Sequence, residues 1–155
     1  MERQISVGAV IVNIENGQPR YLVLFRAGDK HHRPAWTLSR GKMERSEYKK
    51  QTAVREIREE TGISDLHFLP RFREKMSWHF REKDPLTGQS RLVFKTAYFY
   101  LARTSTTEIK LSSEHQKSRW LDFDQALKCL PFSKTKKILT RAHEYLLANN
   151  IISAT

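Results

Sequence analysis

The chain has little cysteine and no long apolar run. Cys129 is its only cysteine among 155 residues, so no disulfide can form within the chain and nothing calls for an oxidising compartment. The uninterrupted apolar runs, such as Val10 to Val12, fall far short of the roughly 20 residues of a membrane span. The first residues also lack the long apolar segment of a secretory signal. We therefore expect a cytoplasmic protein with no membrane partner.

Acidic residues are scarce relative to basic ones. The 17 Asp and Glu stand against 28 Lys and Arg, which gives a net charge of +11. This excess suggests polyanionic partners such as nucleotides, nucleic acids or inositol phosphates, although a basic surface without such a partner is equally common. A hydrophobic share of 39% excludes a disordered chain. Since domains run to about 100–150 residues, residues 1–155 are predicted to form one domain.

Extended segments dominate the first part and the middle of the chain. Ile5 to Val12 and Tyr21 to Phe25 read as a hairpin around a turn at residues 15–17, and Trp36 to Leu38 as a third extended piece. Residues 68–81 and 91–101 read as a long hairpin around the turn at 84–88.

Helical periodicity appears in three places. Residues 46–60 carry apolar positions on one helical face and stop at Gly62. Residues 123–130 and 134–147 follow at the end, with Ser133 as a candidate cap. The order predicts a mixed sheet sandwiched by helices.

Three carboxylates cluster on the first predicted helix. At about 100° per residue, Glu59 and Glu60 lie to either side of Glu56, so the three project from one sector. A solvated acidic face explains such a cluster by itself, because the repulsion costs only a few tenths of a kcal/mol per pair. The alternative is that Mg²⁺ or Mn²⁺, which prefer hard oxygen ligands, neutralises the cluster.

Three neighbouring residues favour the metal. Arg55 can hold a carboxylate through a two-pronged hydrogen bond, and Glu47 lies about 80° from it around an ideal helix. Gly41 precedes the helix, where the chain bends and a backbone carbonyl can approach a metal.

The segment of residues 41–63 resembles the 23-residue signature of the Nudix hydrolases without a gap. The matching positions are Gly41, Glu47, Arg55-Glu56, Ile57, Glu59-Glu60, Gly62 and Ile63. The resemblance implies an α/β/α sandwich around a mixed β-sheet and Mg²⁺- or Mn²⁺-dependent hydrolysis of a nucleoside diphosphate derivative. It further implies that Glu56 and Glu60 are metal ligands, that Glu59 is a ligand or base and that Arg55 orients them.

A longer stretch is similar to the asymmetrical diadenosine tetraphosphate hydrolases. The similarity lies in His31-His32 before Trp36, in residues 94–102 and in residues 111–121. It implies cleavage of diadenosine tetraphosphate to ATP and AMP by water. It also implies that Glu114 completes the metal site, although a solvated loop acid is the alternative.

The same resemblance assigns the substrate contacts. It implies that Arg40 and Lys95, and with less support Lys42, contact phosphate, and that His31 or His32 binds phosphate or assists proton transfer. Phe132 is assigned to adenine stacking, with Tyr98 on the other side of the same cleft. Taken alone, each of these residues also fits a packed or solvated position.

The sequence departs from this pattern at three places. Ser39 stands where proline is usual, Ser46 stands where glycine is usual, and the hairpin of residues 78–91 is long and basic. These changes leave the substrate open. An RNA 5′-pyrophosphohydrolase or a (d)NTP pyrophosphohydrolase of the family is the alternative, and the charge of +11 favours RNA mildly. A catalytically silent nucleotide- or RNA-binding module is less well supported because all signature glutamates are present.

Overall fold

The structure, a computed structural model, describes residues 2–30 and 32–154. Its strands are listed in chain order: β1 Glu2–Glu15, β2 Gln18–Arg26, β3 Ala35–Thr37, β4 Ser39–Lys42, β5 His67–Phe68, β6 Glu74–Lys83, β7 Ser90–Arg103 and β8 His115–Leu121. The helices are α1 Lys49–Thr61, α2 Phe123–Cys129 and α3 Ser133–Ala148. No helix in the described part of the chain is long and apolar enough to cross a membrane.

Strand β1 is the centre of a mixed sheet. Its first eleven paired residues, Glu2 to Val12, run parallel to β7, and its end pairs antiparallel with β2 across the turn at Asn16-Gly17. Both turn residues have positive φ, as a two-residue hairpin requires. Strand β4 pairs with β1, β8 and β3 pair with β2, and β6 and β5 pair with β7.

Helices cover both faces of this sheet. Ala53 and Ile57 of α1 pack against a buried cluster that includes Ile11 and Leu24. Helices α2 and α3 pack on the opposite face, where Leu139 and Leu146 join a larger core. The layers confirm the predicted α/β/α sandwich around a mixed sheet.

Several predicted boundaries need correction. Helix α1 begins at Lys49 and not at Ser46, because the Tyr48 amide is bonded by the Gln51 side chain and the preceding residues form a turn. In α3 Phe132 is the N-cap residue, and Ser133 is the first helical residue. The extended stretch predicted at 68–81 is broken between β5 and β6, where Arg71 has a φ of 65°. Strands β4 and β8 were not predicted from the sequence.

Candidate active site

Arg55 makes hydrogen bonds to several residues of the site. Its Nε lies 2.6 Å from Oε2 of Glu47, and its Nη2 donates to Oε1 of the same carboxylate at 2.9 Å. The Nη2 atom also donates to the carbonyl of Lys42 at 2.9 Å. These bonds raise the pKa of Arg55 and lower the pKa of Glu47 to about 2. The guanidinium group of Arg55 therefore connects the segment of residues 42–47 to helix α1 through hydrogen bonds.

Arg55 also orients two glutamates of the signature. Its Nη1 donates to Oε1 of Glu56 at 2.8 Å and to Oε2 of Glu59 at 3.3 Å. The Glu56 carboxylate lies directly against Gly41, where a built Cβ would come within 2.0 Å of Oε2. Gly41 is thus required for space beside Glu56. Burial is the main cause that raises the pKa of Glu56, and the charges of Glu59 and Glu114 act in the same direction.

Glu60 does not project from the exposed sector that the sequence predicted. Its side chain is 3% exposed, whereas that of Glu59 is 57% exposed. The Ser39 hydroxyl donates to Oε1 of Glu60 at 2.9 Å. Oε2 lies 3.3 Å from Nε2 of His115, yet neither atom has a hydrogen-bond partner among the described residues. Burial raises the pKa of Glu60 to about 8.

Glu114 approaches the same carboxylates from another part of the chain. It is exposed just before β8, and its carbonyl accepts from the Ala27 amide at 3.3 Å. Its charge raises the pKa of both Glu56 and Glu60. Glu114 therefore lies within electrostatic range of the signature helix.

The donor set fits a divalent cation. Glu60 carries a buried carboxylate oxygen without a partner, and Gly41 leaves a space occupied by the Glu56 carboxylate. Carboxylate oxygens are the ligands that Mg²⁺ and Mn²⁺ prefer. Among residues 2–30 and 32–154, no group of three or more Asp, Glu, His or Cys side chains is already arranged to hold a metal ion. Glu56 and Glu60 are the carboxylates that would hold such a cation.

A cationic cluster lies on the other face of the sheet. Arg40 is 8% exposed, and its Nε has no hydrogen-bond partner among the described residues. The Arg40 guanidinium lies 5.0 Å from the centroid of the Trp78 ring, and Lys95 Nζ lies 5.7 Å from that centroid. Burial lowers the pKa of Arg40 to about 10 and that of Lys95 to about 8. A buried guanidinium with an unpartnered Nε, next to a half-buried ammonium, is suited to an anion such as phosphate.

Arg26 is a site residue that sequence reasoning missed. It ends β2 opposite His115 of β8, and its charge contributes to lowering the pKa of Arg40 and Lys95. The charge of Arg26 lowers the pKa of Glu60, whereas the charge of Glu114 raises it. Leu22, Leu24 and Arg26 are alternate residues of one strand, so their side chains lie on the same face. This spacing is the sequence signal from which Arg26 could have been predicted.

The histidine pair is only partly described. His32 is bonded to Asp29, with Nδ1 at 3.1 Å from Oδ1, and burial is the main cause that lowers its pKa. The charges of Lys95 and Arg26 add to that effect, so His32 lies near the cationic cluster. His31 lies outside the described residues. Lys42 is exposed, and its charge contributes to the lowered pKa of Lys95.

The two aromatic candidates lie on different faces of the sheet. Phe132 is 58% exposed at the start of α3, two residues before Lys134, whose Nζ donates to the Ser77 carbonyl next to Trp78. Tyr98 belongs to the cluster that packs with α1, and Lys49 lies 4.7 Å from its ring centroid. The structure therefore places Phe132 at the start of α3 and Tyr98 with α1, and it does not bring the two rings together.

Comparisons with known proteins agree with this architecture. A family profile described as the NUDIX domain matches residues 2–142. The mouse asymmetrical bis(5′-nucleosyl)-tetraphosphatase is 33% identical over 141 residues, which cover 88% of this chain and 87% of that protein. The relative of the same name from Caenorhabditis elegans is 25% identical over 142 residues, which cover 91% of this chain and 95% of that protein.

Solved structures show the same fold. A binary complex of the C. elegans Ap4A hydrolase superposes with a TM-score of 0.73 at 24% identity, covering 94% of this chain and 98% of that one. The NUDIX domain of Shewanella oneidensis NrtR, solved with ADP ribose, gives a TM-score of 0.66 at 18% identity, covering 94% and 90% of the two chains. At these identities the structural similarity establishes the fold alone.

Proposed function

Because the chain belongs to the Nudix family of hydrolases, which act on phosphoanhydride bonds, we propose that its substrate is diadenosine tetraphosphate and that its products are ATP and AMP. The observation that carries the proposal is the arrangement of Glu47, Glu56 and Glu59 around Arg55. All glutamates of the signature are present, which argues against a silent binding module. The 33% identity to the mouse tetraphosphatase supports this substrate. A cytoplasmic location belongs to the same proposal.

The acidic side of the site would bind Mg²⁺ or Mn²⁺. Glu56 and Glu60 would be its ligands, with Glu114, Glu59 and the Gly41 carbonyl as further donors. Such a cation neutralises phosphate oxygens and lowers the pKa of a bound water. Arg55 keeps Glu56 and Glu59 in place by its two Nη1 contacts. Ser39 fixes one oxygen of Glu60, so that Oε2 remains free to bind.

The protein side chains would complete the hydrolysis as follows. A water oxygen forms a bond to one phosphorus of the tetraphosphate, and the bridging P–O bond on the other side breaks. The electron pair of that bond leaves on the departing phosphate. Glu59 is the most exposed signature glutamate and accepts the proton of the attacking water. Arg40 and Lys95, with support from Lys42 and Arg26, spread the negative charge of the phosphates.

Adenine would stack between Trp78 and Phe132. Trp78 is half-buried beneath the two cations, and Phe132 is exposed at the start of the neighbouring helix. Stacking on an aromatic ring contributes about 1–3 kcal/mol per base. His32 lies close enough to the cationic cluster to contact the phosphate chain. This assignment replaces Tyr98 as the partner of Phe132.

The test compares wild type with Glu56→Gln and Glu60→Gln, using Glu144→Gln on exposed α3 as the matched control. The first two variants should lose activity by orders of magnitude in Mg²⁺, and the control should retain it. Because the raised pKa leaves Glu60 largely protonated without a cation, an amide there should be tolerated by the fold. Near-normal turnover in either variant would refute the metal assignment.

The substrate is decided by a comparison of kcat/KM. Diadenosine tetraphosphate, ATP, triphosphorylated RNA and diphosphoinositol phosphates are offered to the same enzyme, and products are separated by chromatography. We expect the dinucleotide to rank first, with ATP and AMP in equal amounts. A higher value for triphosphorylated RNA or for a nucleoside triphosphate would replace the proposal with the corresponding alternative.

A further inference from the structure

The outer part of the sheet has a face on which the described residues of β6 are exposed and those of β7 are half-buried. Helix α1 packs on β1 and β4, and only Tyr98, at the inner end of this face, lies beside its first turn, under Lys49. Alternate residues of β6 from Lys75 to Lys83 are exposed on this side. The strand register places alternate residues of β7 and the start of β1 beside them. The open face consists of Arg3, Ile5, Lys75, Ser77, His79, Arg81, Lys83, Leu92, Phe94, Thr96 and Tyr98.

Aromatic rings lie in the middle of the open face. Phe94 and Tyr98 are half-buried on β7, and the His79 ring lies 5.5 Å from that of Phe94 at an angle of 34°. Cations flank both rings: Arg3 is 6.0 Å from the Phe94 centroid and Lys49 is 4.7 Å from that of Tyr98. The rings therefore offer flat surfaces next to positive charge.

The charge of the open face has one sign. Its strand positions include Arg3, Lys75, Arg81 and Lys83 and contain no Asp or Glu. The acids of these strands point to the opposite side, where Glu74 pairs with Arg141, and Glu82 pairs with Arg91 at 2.5 Å. Cations that outnumber acids on one face repel one another, so an anionic partner would stabilise them.

A groove extends this face to the first turn of α1. It has a volume of about 310 Å³ and is lined by Lys49, Arg73, Lys75, Tyr98 and Tyr100, together with Glu74 and Phe99. Lys50 lies 5.0 Å from the Phe68 ring centroid at the far end. Aromatic rings and cations thus alternate from the groove across the open face.

We propose that the open face and this groove bind single-stranded nucleic acid. Lys75, Arg81 and their neighbours neutralise the backbone phosphates, and unstacked bases lie on Phe94 and Tyr98. A second copy of the chain does not fit, because two such faces carry charge of the same sign. A duplex keeps its bases stacked and cannot use the rings. The proposal stands apart from the hydrolysis of diadenosine tetraphosphate.

Binding is measured by fluorescence anisotropy on the full chain with a labelled single-stranded RNA of about 12 nucleotides, within the range of known single-strand sites. EDTA is present, so that no cleavage occurs. Lys75→Glu/Arg81→Glu should weaken binding by roughly tenfold or more, and should reduce the salt slope by about 1.4, as expected for two lost phosphate contacts. The matched control is Lys128→Glu/Lys137→Glu, which makes the same charge change on the exposed α2 and α3 surface. The affinity of this control variant for the RNA should change by no more than about twofold. A change of that size is expected when charges far from the binding site are altered, because salt screens them.

Three outcomes would overturn the proposal. The first is that the wild type does not bind the RNA, and the second is that both double variants lose affinity equally. The third is that the wild type binds duplex RNA or phosphatidylserine vesicles more strongly than the single strand. Cross-linking of a 5-iodouridine RNA provides an independent measurement if the first double variant does not fold. Cross-links should map to Phe94, His79 or Tyr98, and cross-links confined to α2 and α3 would refute the site. Hydrolysis of diadenosine tetraphosphate by Lys75→Glu/Arg81→Glu should stay near wild type, which separates this site from the catalytic one.

Discussion

The carboxylate of Glu56 fills the place of the side chain that Gly41 lacks. A Cβ at position 41 would lie 1.9 Å from Cδ of Glu56, well inside van der Waals contact. Gly41 does not have a positive φ, so its backbone accepts other residues. The glycine is therefore needed for the position of Glu56 and not for a turn.

Gly41→Ala should displace the Glu56 carboxylate while leaving the backbone intact. We expect turnover to fall by about a hundredfold, since a misplacement of about 1 Å in a site has effects of that size. Mn²⁺ affinity, measured by electron paramagnetic resonance, should fall as well. Unchanged Mn²⁺ affinity in this variant would show that Glu56 is not a ligand.

Gly88→Ala is the control, because Gly88 has space for a Cβ but a backbone conformation that favours glycine, whereas the opposite holds for Gly41. A Cβ there meets no described atom within 4 Å, but Gly88 has a φ of 72°. That variant should lose about 1 kcal/mol of stability and keep its Mn²⁺ affinity.

Ser39→Ala removes the hydrogen bond to Oε1 of Glu60. The hydroxyl favours the charged carboxylate, so without it the pKa of Glu60 should rise further above about 8. We expect metal affinity at neutral pH to fall by about 10–100-fold, as for other residues that orient a metal ligand. Isothermal titration with Mn²⁺ measures it. Ser46→Ala, at an exposed turn position, should bind as wild type, and equal behaviour of the two variants would contradict the role of Ser39.

Lys95 should make substrate binding sensitive to pH. Burial and the charge of Arg40 lower its pKa to about 8, so the ammonium is charged below that pH and neutral above it. We expect KM for diadenosine tetraphosphate to rise between about pH 7 and pH 9. Initial rates across that range give KM, and Lys95→Arg, which stays charged, should remove the rise. A rise of the same size in Lys95→Arg would assign the effect to another group.

The sequence predicted the layers and the signature helix because both follow from local patterns. The β-branched residues between Ile5 and Val12 and the helical spacing of Ala53 and Ile57 depend only on neighbours along the chain. The contact between Glu47 and Arg55 did not follow from helical angles, because Glu47 lies before the start of α1. The family signature further specified which glutamates matter.

The missed features depend on contacts between distant segments. Ser39 was noted only as a replaced proline, and its bond to Glu60 exists because β4 pairs with β1 beneath α1. Helical angles alone placed Glu60 with Glu59, whereas packing against β4 and His115 buries it. Phe132 and Tyr98 were assigned to one cleft, although Tyr98 packs with α1 and Phe132 begins α3 on the other face of the sheet.

Asp65 should stabilise the fold in a pH-dependent manner. Its carboxylate accepts bonds from Thr104 Oγ1 at 2.6 Å, from Thr106 Oγ1 at 2.7 Å and from the amide and hydroxyl of Ser105 at 2.9 and 2.7 Å. These bonds hold the pKa of Asp65 well below its usual range. The folded pKa lies below the unfolded value of about 3.9, so the stabilisation is present above about pH 4 and is lost as pH falls further.

Asp65→Asn should therefore be less stable than wild type near pH 7, by about 1 kcal/mol, because an exposed group is screened by solvent. The difference should shrink as the pH falls below about 4, because the unfolded wild type then binds a proton that the folded protein, with its lowered pKa at Asp65, does not. Urea unfolding at both pH values measures it, and other titrating groups cancel in the difference between the two proteins. Asp124→Asn, in the exposed first turn of α2, should change stability by only a few tenths of a kcal/mol. A gap between wild type and Asp65→Asn that persists at the lower pH would mean that the contacts of Asp65 do not depend on its charge.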